Sequence, residues 1–200
     1  HTTAGGDSVF TYDWLNYDEA FVELDIQAVR RFTTGRAEHE LTFGFDGDTT
    51  ETDYERITRV WNQTTGSDVT TAGGGFNFAN ATTRRADLYI QDRISLDGGR
   101  FEITPGLRWA TYAIDPRPDP DYVVVPGSEP VARSSSELLG SLGARWRVSD
   151  TWTLWGNIGQ GFKMPTAQQL YTSLPGTFFD LVPAPDLLPE HVLNIEIGAR

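Results

Sequence analysis

The side chains best suited to touch a ligand gather between Lys163 and Glu190. This stretch brings Tyr171, Phe178, Phe179 and Asp180 onto a backbone punctuated by prolines. Aromatic rings and a carboxylate on a constrained chain give contact area at low entropic cost, which is the chemistry of capture rather than of bond breaking. The plainer reading of the same residues is a loop that packs on itself. Tyr171 is in principle an iron ligand, and His191, just past the stretch, is a further contact candidate. Elsewhere the reactive residue types lack the spacing that chemistry needs. His39-Glu40 opens like a zinc-protease helix, but the second His is absent and the segment reads as a strand. His1, His39 and His191 are far apart in the chain, so a Ser-His-Asp arrangement has no support. The glycines from Gly156 to Gly161 lack the strand–turn–helix context of a nucleotide loop. The acidic run from Asp46 to Glu55 misses the EF-hand pattern and reads as a solvated loop. No catalytic group, metal site or cofactor is expected, and no enzymatic activity.

Composition narrows the partners. The 200 residues carry 16 Lys and Arg against 28 Asp and Glu, a net charge of −12. That argues against nucleic acid, because holding phosphates requires clustered cations. The absence of Cys removes disulfides and thiolate metal sites. With 6 Trp, 7 Tyr, 11 Phe and 20 Gly, the chain favours strands joined by turns over helices. No apolar run approaches the roughly 18 residues that a spanning helix needs. A barrel crosses with strands that are apolar on one face only, so a mean hydropathy of −0.37 does not exclude a membrane protein. The first residues carry no charged and apolar export signal, and the last lie on a strand, so both ends are expected to be cuts from a longer chain.

The elements that must hold these side chains are strands. Val22, Leu24, Ile26, Ala28 and Phe32 alternate with Glu23, Asp25, Gln27 and Arg31, the period of a half-buried strand. Arg30 falls on the apolar face, where its stem can snorkel to an interface. Leu41, Phe43 and Phe45 begin a second strand after a short turn. Further apolar faces run from Ala86 to Leu96, Phe101 to Trp109, Leu138 to Val148, Trp152 to Phe162 and Leu193 to Ile197. Asp92 breaks the first of these further faces, which predicts a bulge near Gln91, and Pro105 predicts an edge or a bulge in the next. Residues 1–20, 46–83, 115–134 and 163–190 read as long loops, alternating with short turns. Phe32, Phe101, Trp146 and Trp152 bracket the short turns, and Phe45, Trp109 and Phe162 recur toward the long loops. Phe101 to Trp109 spans about 26 Å of strand, which on tilting approaches the roughly 25 Å apolar band between aromatic girdles. The pattern predicts an all-β, antiparallel transmembrane β-barrel segment. Glu23, Asp25, Glu102, Arg108, Arg145, Arg147, Asn157, Glu196 and Arg200 would face inward. A narrow barrel must pair every such charge, whereas a wide one keeps them wet, so about seven strands of a roughly 22-stranded barrel are expected.

Gly161, Phe162, Pro165, Thr166, Leu170 and Tyr171 make one block; Pro185, Asp186, Leu187, Pro189, Glu190, Asn194, Glu196 and Gly198 make a second. In order and spacing the two resemble the C-terminal barrel signature of TonB-dependent outer-membrane receptors. Met164 replaces a usual Ala and Ala184 a usual Asn. Leu88–Asp92 and Thr104–Arg108 resemble two further strands of that family, so motifs cover about residues 84–200 and only the pattern covers 1–83. The resemblance implies that residues 1–200 belong to one receptor barrel in the outer membrane of a Gram-negative bacterium, with the plug absent. It implies surrounding outer-membrane lipid, uptake of an iron chelate, either siderophore or haem, and a TonB complex acting through a plug elsewhere. In the haem branch a His commonly lies between the two blocks; here none does. The counterpart of Tyr171 in the family pattern is structural. The alternatives from other classes are a small closed barrel with a structural or adhesive role, and an outer-membrane hydrolase using His39 or His191.

Overall fold

The computed structural model describes residues 2–4, 6–72, 79–120, 122, 124–173 and 182–200. They form one antiparallel sheet whose long strands follow the chain order: β2 (Asp7–Thr34), β3 (Ala37–Asn62), β5 (Asn80–Leu96), β6 (Phe101–Arg117), β7 (Arg133–Arg147), β8 (Thr153–Lys163) and β9 (Glu190–Ala199). Two short strands, β1 (Thr2–Ala4) and β4 (Ser67–Ala72), pair only with the projecting ends of β2 and β3. The seven long strands make a half-barrel, as the sequence pattern predicts. β2 and β9 do not pair with each other, so each presents a free edge along most of its length. The short turns are tight where the residues allow it. Gly35 and the Asp97-Gly98-Gly99 run all hold positive φ, a region open to Gly and tolerated by Asp.

Two segments expected as loops are strands. Residues 7–20 belong to β2, and 46–62 to β3, whose register with β2 continues without a break from Thr34↔Ala37 to Val9↔Asn62. β2 is 28 residues long, whereas a barrel strand crosses a bilayer in about 10. The surplus carries polar side chains on both faces, which erases the alternation that marks a half-buried strand. Cross-strand pairs hold it instead. Phe10 stacks on Trp61 at 5.3 Å, Thr58 donates to Asp13 at 2.6 Å, and Arg56 reaches Asp13 at 3.3 Å.

The bulge expected near Gln91 is absent. Gln91↔Gly106 and Ile94↔Ile103 obey one register, and only the pairing between them is interrupted, where Pro105 has no N–H to give. Pro105 lies neither at an edge nor in a bulge, because β6 pairs on both sides and Pro105 still faces Leu142. Asp92 therefore stays on the apolar face, where its Oδ2 sits 2.7 Å from His39 Nδ1.

The apolar face is the exposed one. Leu138 is 68% exposed, Ile195 65% and Ile197 86%, and the register puts them in line with Leu24, Ile26, Phe43, Leu88, Leu107 and Trp109. Phe45, Leu88, Trp109 and Leu138 share one row across four strands. A water-soluble sheet would bury that face; a barrel wall turns it to lipid. The buried apolar cluster lies at one end of the opposite face, from Ala79, Ala81, Ile114, Tyr122, Leu170 and Tyr171.

Candidate ligand-receiving wall and loop base

Charges on the inner face meet across strands. Asp46 and Asp48 project from β3, Arg85 and Asp87 from β5, and Arg108 from β6. Arg85 donates to Asp48 at 2.7 Å and to Asp46 at 3.0 Å. Arg108 donates to Asp46 at 3.2 Å and to Asp87 through Nε at 2.9 Å and Nη2. Asp87 is 2% exposed, and its Oδ1 is buried without a hydrogen-bond partner among the described residues. The acidic run read as a solvated loop thus begins in a network on the wall. Nearer the short turns, Glu40 takes Arg31 at 2.7 Å and Arg93 at 3.0 Å, and Arg145 forks onto Glu102. The inward Glu102, Arg108 and Arg145 are therefore paired.

Toward the long loops β7 and β8 part. Their pairing ends at Ser141↔Gly159, and beyond it the Gly140 N–H donates to the Gln160 side chain at 3.0 Å. A cavity of about 510 Å³ opens there, lined by Asp87, Arg108, Tyr112, Gln160, Phe162 and Lys163 among others. Its chemistry is that of charged and amide hydrogen bonding beside aromatic rings. Among the described residues no three His, Cys, Asp or Glu side chains converge as metal ligands.

Above this wall the two signature blocks build the base of the β8–β9 loop. Pro165 leads into α1 (Ala167–Tyr171), whose N-cap Thr166 accepts from Gln169 N while the Gln169 side chain accepts from the Thr166 N–H, a reciprocal capping box. The helix turns Leu170 and Tyr171 onto Ala79, Ala81 and Ile114 at the ends of β5 and β6. Tyr171 is fully buried; its hydroxyl donates to the Val131 carbonyl at 2.6 Å, and its own carbonyl accepts from Tyr122 at 2.8 Å. Burial pushes the Tyr171 phenol up to about 12. A phenol so committed does not face a ligand, so Tyr171 acts here as a clasp between the β6–β7 and β8–β9 loops. From the second block, Ala184 N donates to Leu170 O at 3.0 Å, Pro185 is buried, and Asp186 pairs with Arg133. Leu187 N closes a turn onto Ala184 O, Pro189 is partly covered, and Glu190 starts β9 opposite Lys163.

The remaining signature residues lie on β8 and β9. Gly161 and Phe162 face Val192 and His191, and Asn194 donates to Glu196 at 2.9 Å. At Gly198 an added Cβ would stand 2.4 Å from the Trp155 ring, so the ring occupies the space a side chain needs. His191 is exposed on the apolar-face row, 3.9 Å from Glu137 at the nearest approach. Phe178, Phe179 and Asp180 lie outside the described residues. Neither Tyr122 nor the Asp46–Asp87–Arg108 network was legible as a site, since their partners are 21 to 62 residues away.

The family model for the β-barrel of TonB dependent receptor-like proteins matches residues 1–200, the whole chain. The chain belongs to the TonB-dependent receptor β-barrel family. This is a family of outer-membrane receptors and transporters of Gram-negative bacteria. Among solved structures, this receptor barrel is similar to BauA, the ferric preacinetobactin receptor from Acinetobacter baumannii, at 14% identity and a TM-score of 0.52, over 94% of this chain and 27% of that one. It is also similar to the unliganded ferric citrate transporter FecA, at 17% identity and a TM-score of 0.49, over 77% of this chain and 22% of that one. The chain thus spans about a quarter of the length of these structures. No curated protein sequence matches it.

Proposed function

We propose that this chain is part of the wall and mouth of an outer-membrane receptor that admits an iron chelate, of the siderophore type in preference to haem. The observation that carries the reading is the wall itself. Its lipid-side face is apolar, its inner face bears a cross-strand Asp–Arg network, and its two outermost strands have free edges. Free edges are tolerated in a membrane only if further strands cover them. That supports a wide barrel over the small closed barrel. No His lies between the two signature blocks, which favours a siderophore over ligated haem. The similarity to a ferric preacinetobactin receptor points the same way. Binding is recognition without bond making. Uptake would be driven by a TonB complex pulling on a plug outside these residues.

The test uses the native polypeptide that contains this barrel, purified from outer membranes. Ferric siderophores of several chemical classes and haemin are titrated against its tryptophan fluorescence. Saturable quenching by a ferric siderophore at micromolar concentration or below, with weaker response to haemin, is the expected result. Quenching by haemin alone would overturn the siderophore preference, and none by any chelate would overturn the iron reading.

A further inference from the structure

Beyond the membrane-crossing rows β2 and β3 continue as a projecting ribbon, and one face of it combines rings with carboxylates. Phe10, Tyr12 and Trp14 alternate along β2, so their side chains fall on the same side. The rings of Tyr12 and Trp14 stand side by side, centroids 6.2 Å apart and 22° between planes, and about half of each residue is exposed. Lipid does not cover them. Trp14 lies twelve residues beyond Ile26, which faces Phe45 in the lipid-side row, or about 40 Å along the strand. Toward the membrane the same face turns acidic. It carries Glu55, then Asp18 directly opposite Asp53, then Glu51, all exposed. Like charges placed opposite each other destabilise the pair. Arg117 answers Asp53 at 3.3 Å and Asn16 reaches Glu55 at 3.4 Å, whereas Asp18 and Glu51 have no hydrogen-bond or ion-pair partner among the described residues.

Exposed rings and exposed carboxylates in one line have a common complement, a line of cations. A guanidinium stacks on Tyr and Trp and forks onto carboxylates, which an ammonium does less well. The spacing fits as well. The same-face rows at Trp14, Glu55, Asp18–Asp53 and Glu51 follow one another about every 7 Å, the distance between alternate side chains of an extended peptide. We propose that this face of the ribbon docks a basic, extended polypeptide with arginines at alternate positions. One arginine lies on the Tyr12–Trp14 rings, and the next three meet Glu55, the Asp18–Asp53 pair and Glu51. The net charge of −12 draws such a partner in from a distance, and the two rings fix where it settles. A neutral glycan would use the rings and leave the carboxylates uncompensated. An anionic lipopolysaccharide core would be repelled by them. The proposal goes beyond chelate uptake and rests on the barrel reading only in that it puts the ribbon outside the membrane.

The experiment is a fluorescence-anisotropy titration of a labelled peptide of alternating Arg and Ser with the native polypeptide in non-ionic detergent. The expected result is saturable binding at micromolar concentration or below, weakened by salt. Replacing Tyr12→Ser and Trp14→Ser together changes no charge and should weaken binding at least threefold. Asp18→Asn with Glu51→Gln should weaken it at least threefold and flatten the salt dependence. Asp150→Asn removes a charge from the β7–β8 turn, away from the ribbon, and should leave the affinity unchanged. Heat-modifiable migration on gels is scored in parallel, so that only assembled variants are compared. An assembled wild type that does not bind the peptide overturns the docking face. So does equal affinity in the Tyr12 and Trp14 variant, which would mean diffuse attraction to an acidic chain. Trp14-dependent binding of maltoheptaose with none of the arginine peptide would assign the face to a glycan and overturn the proposal. Loss of peptide binding with ferric siderophore binding retained leaves the uptake reading intact, and the reverse result removes that reading alone.

Discussion

Tyr171 illustrates how a residue of ligand-like chemistry is spent on structure. Its ring fills the buried cluster and its hydroxyl holds a carbonyl of the neighbouring loop, so Tyr171→Phe leaves the Val131 carbonyl unpaired at a cost of about 1–2 kcal/mol. Limited proteolysis of intact cells should then cut the β6–β7 and β8–β9 loops faster, while the barrel keeps its heat-modifiable migration. The phenol also sets a pH dependence. Its folded pKa of about 12 lies above the ordinary tyrosine value of about 10, so the docked loop base holds a proton that the undocked state loses. Docking is fully stabilised below pH 10 and weakens as pH rises toward 12. Loop protection measured across that window should fall in the wild type and fall less in Tyr171→Phe, with the raised Tyr122 supplying the remainder. On the wall, the buried Asp87 carboxylate depends on Arg108. Arg108→Met strands that carboxylate and should cost about 3 kcal/mol, read as a lower temperature of unfolding on gels. Adding Asp87→Leu should recover most of the loss, since the paired removal leaves no buried charge.

The β8–β9 connection is an element in two parts, a pinned base and a tip. The Ala184 N to Leu170 O bond closes the base on either side of residues 174–181. Replacing them with a short Gly-Ser linker should abolish chelate capture and leave barrel assembly intact; unchanged affinity would end the capture-loop idea. The same logic explains what was visible of each element beforehand. Phe21–Phe32 and Leu88–Leu96 read as strands because one face meets lipid and the other water. Residues 7–20 and 46–62 meet water on both faces, so their strand character is carried by backbone pairing that no local pattern records. Asp92 predicted a bulge because a carboxylate on an apolar face looks like a slipped register. The register instead holds, and His39 from the next strand answers the carboxylate.

At the scale of the molecule, the assignment of faces makes a sharp prediction. Ile158 and Asn157 are adjacent in β8 and project to opposite sides, Ile158 in the row of Leu142 and Ile195. Ile158→Arg puts a charge in lipid and should cost about 2–4 kcal/mol, lowering the yield of assembled barrel. Asn157→Arg puts the same charge on the inner wall and should assemble as the wild type does. Equal assembly of the two would reverse the in-and-out reading on which the receptor assignment depends.

From the sequence alone came the strand class, the lipid-side face, the short turns and the two signature blocks. These depend on a period of two residues, on glycine at positive φ and on motif order, all properties of neighbours in the chain. Only the tertiary structure decided that Tyr171 clasps two loops, that Asp46, Asp87 and Arg108 form one network, that Gly198 makes room for Trp155, and that Asp92 stays facing outward. Each of these is a contact between strands or loops distant in sequence. Its partner is chosen by register and by the crossing of loops over the sheet, and neither is written in the local spacing of residues.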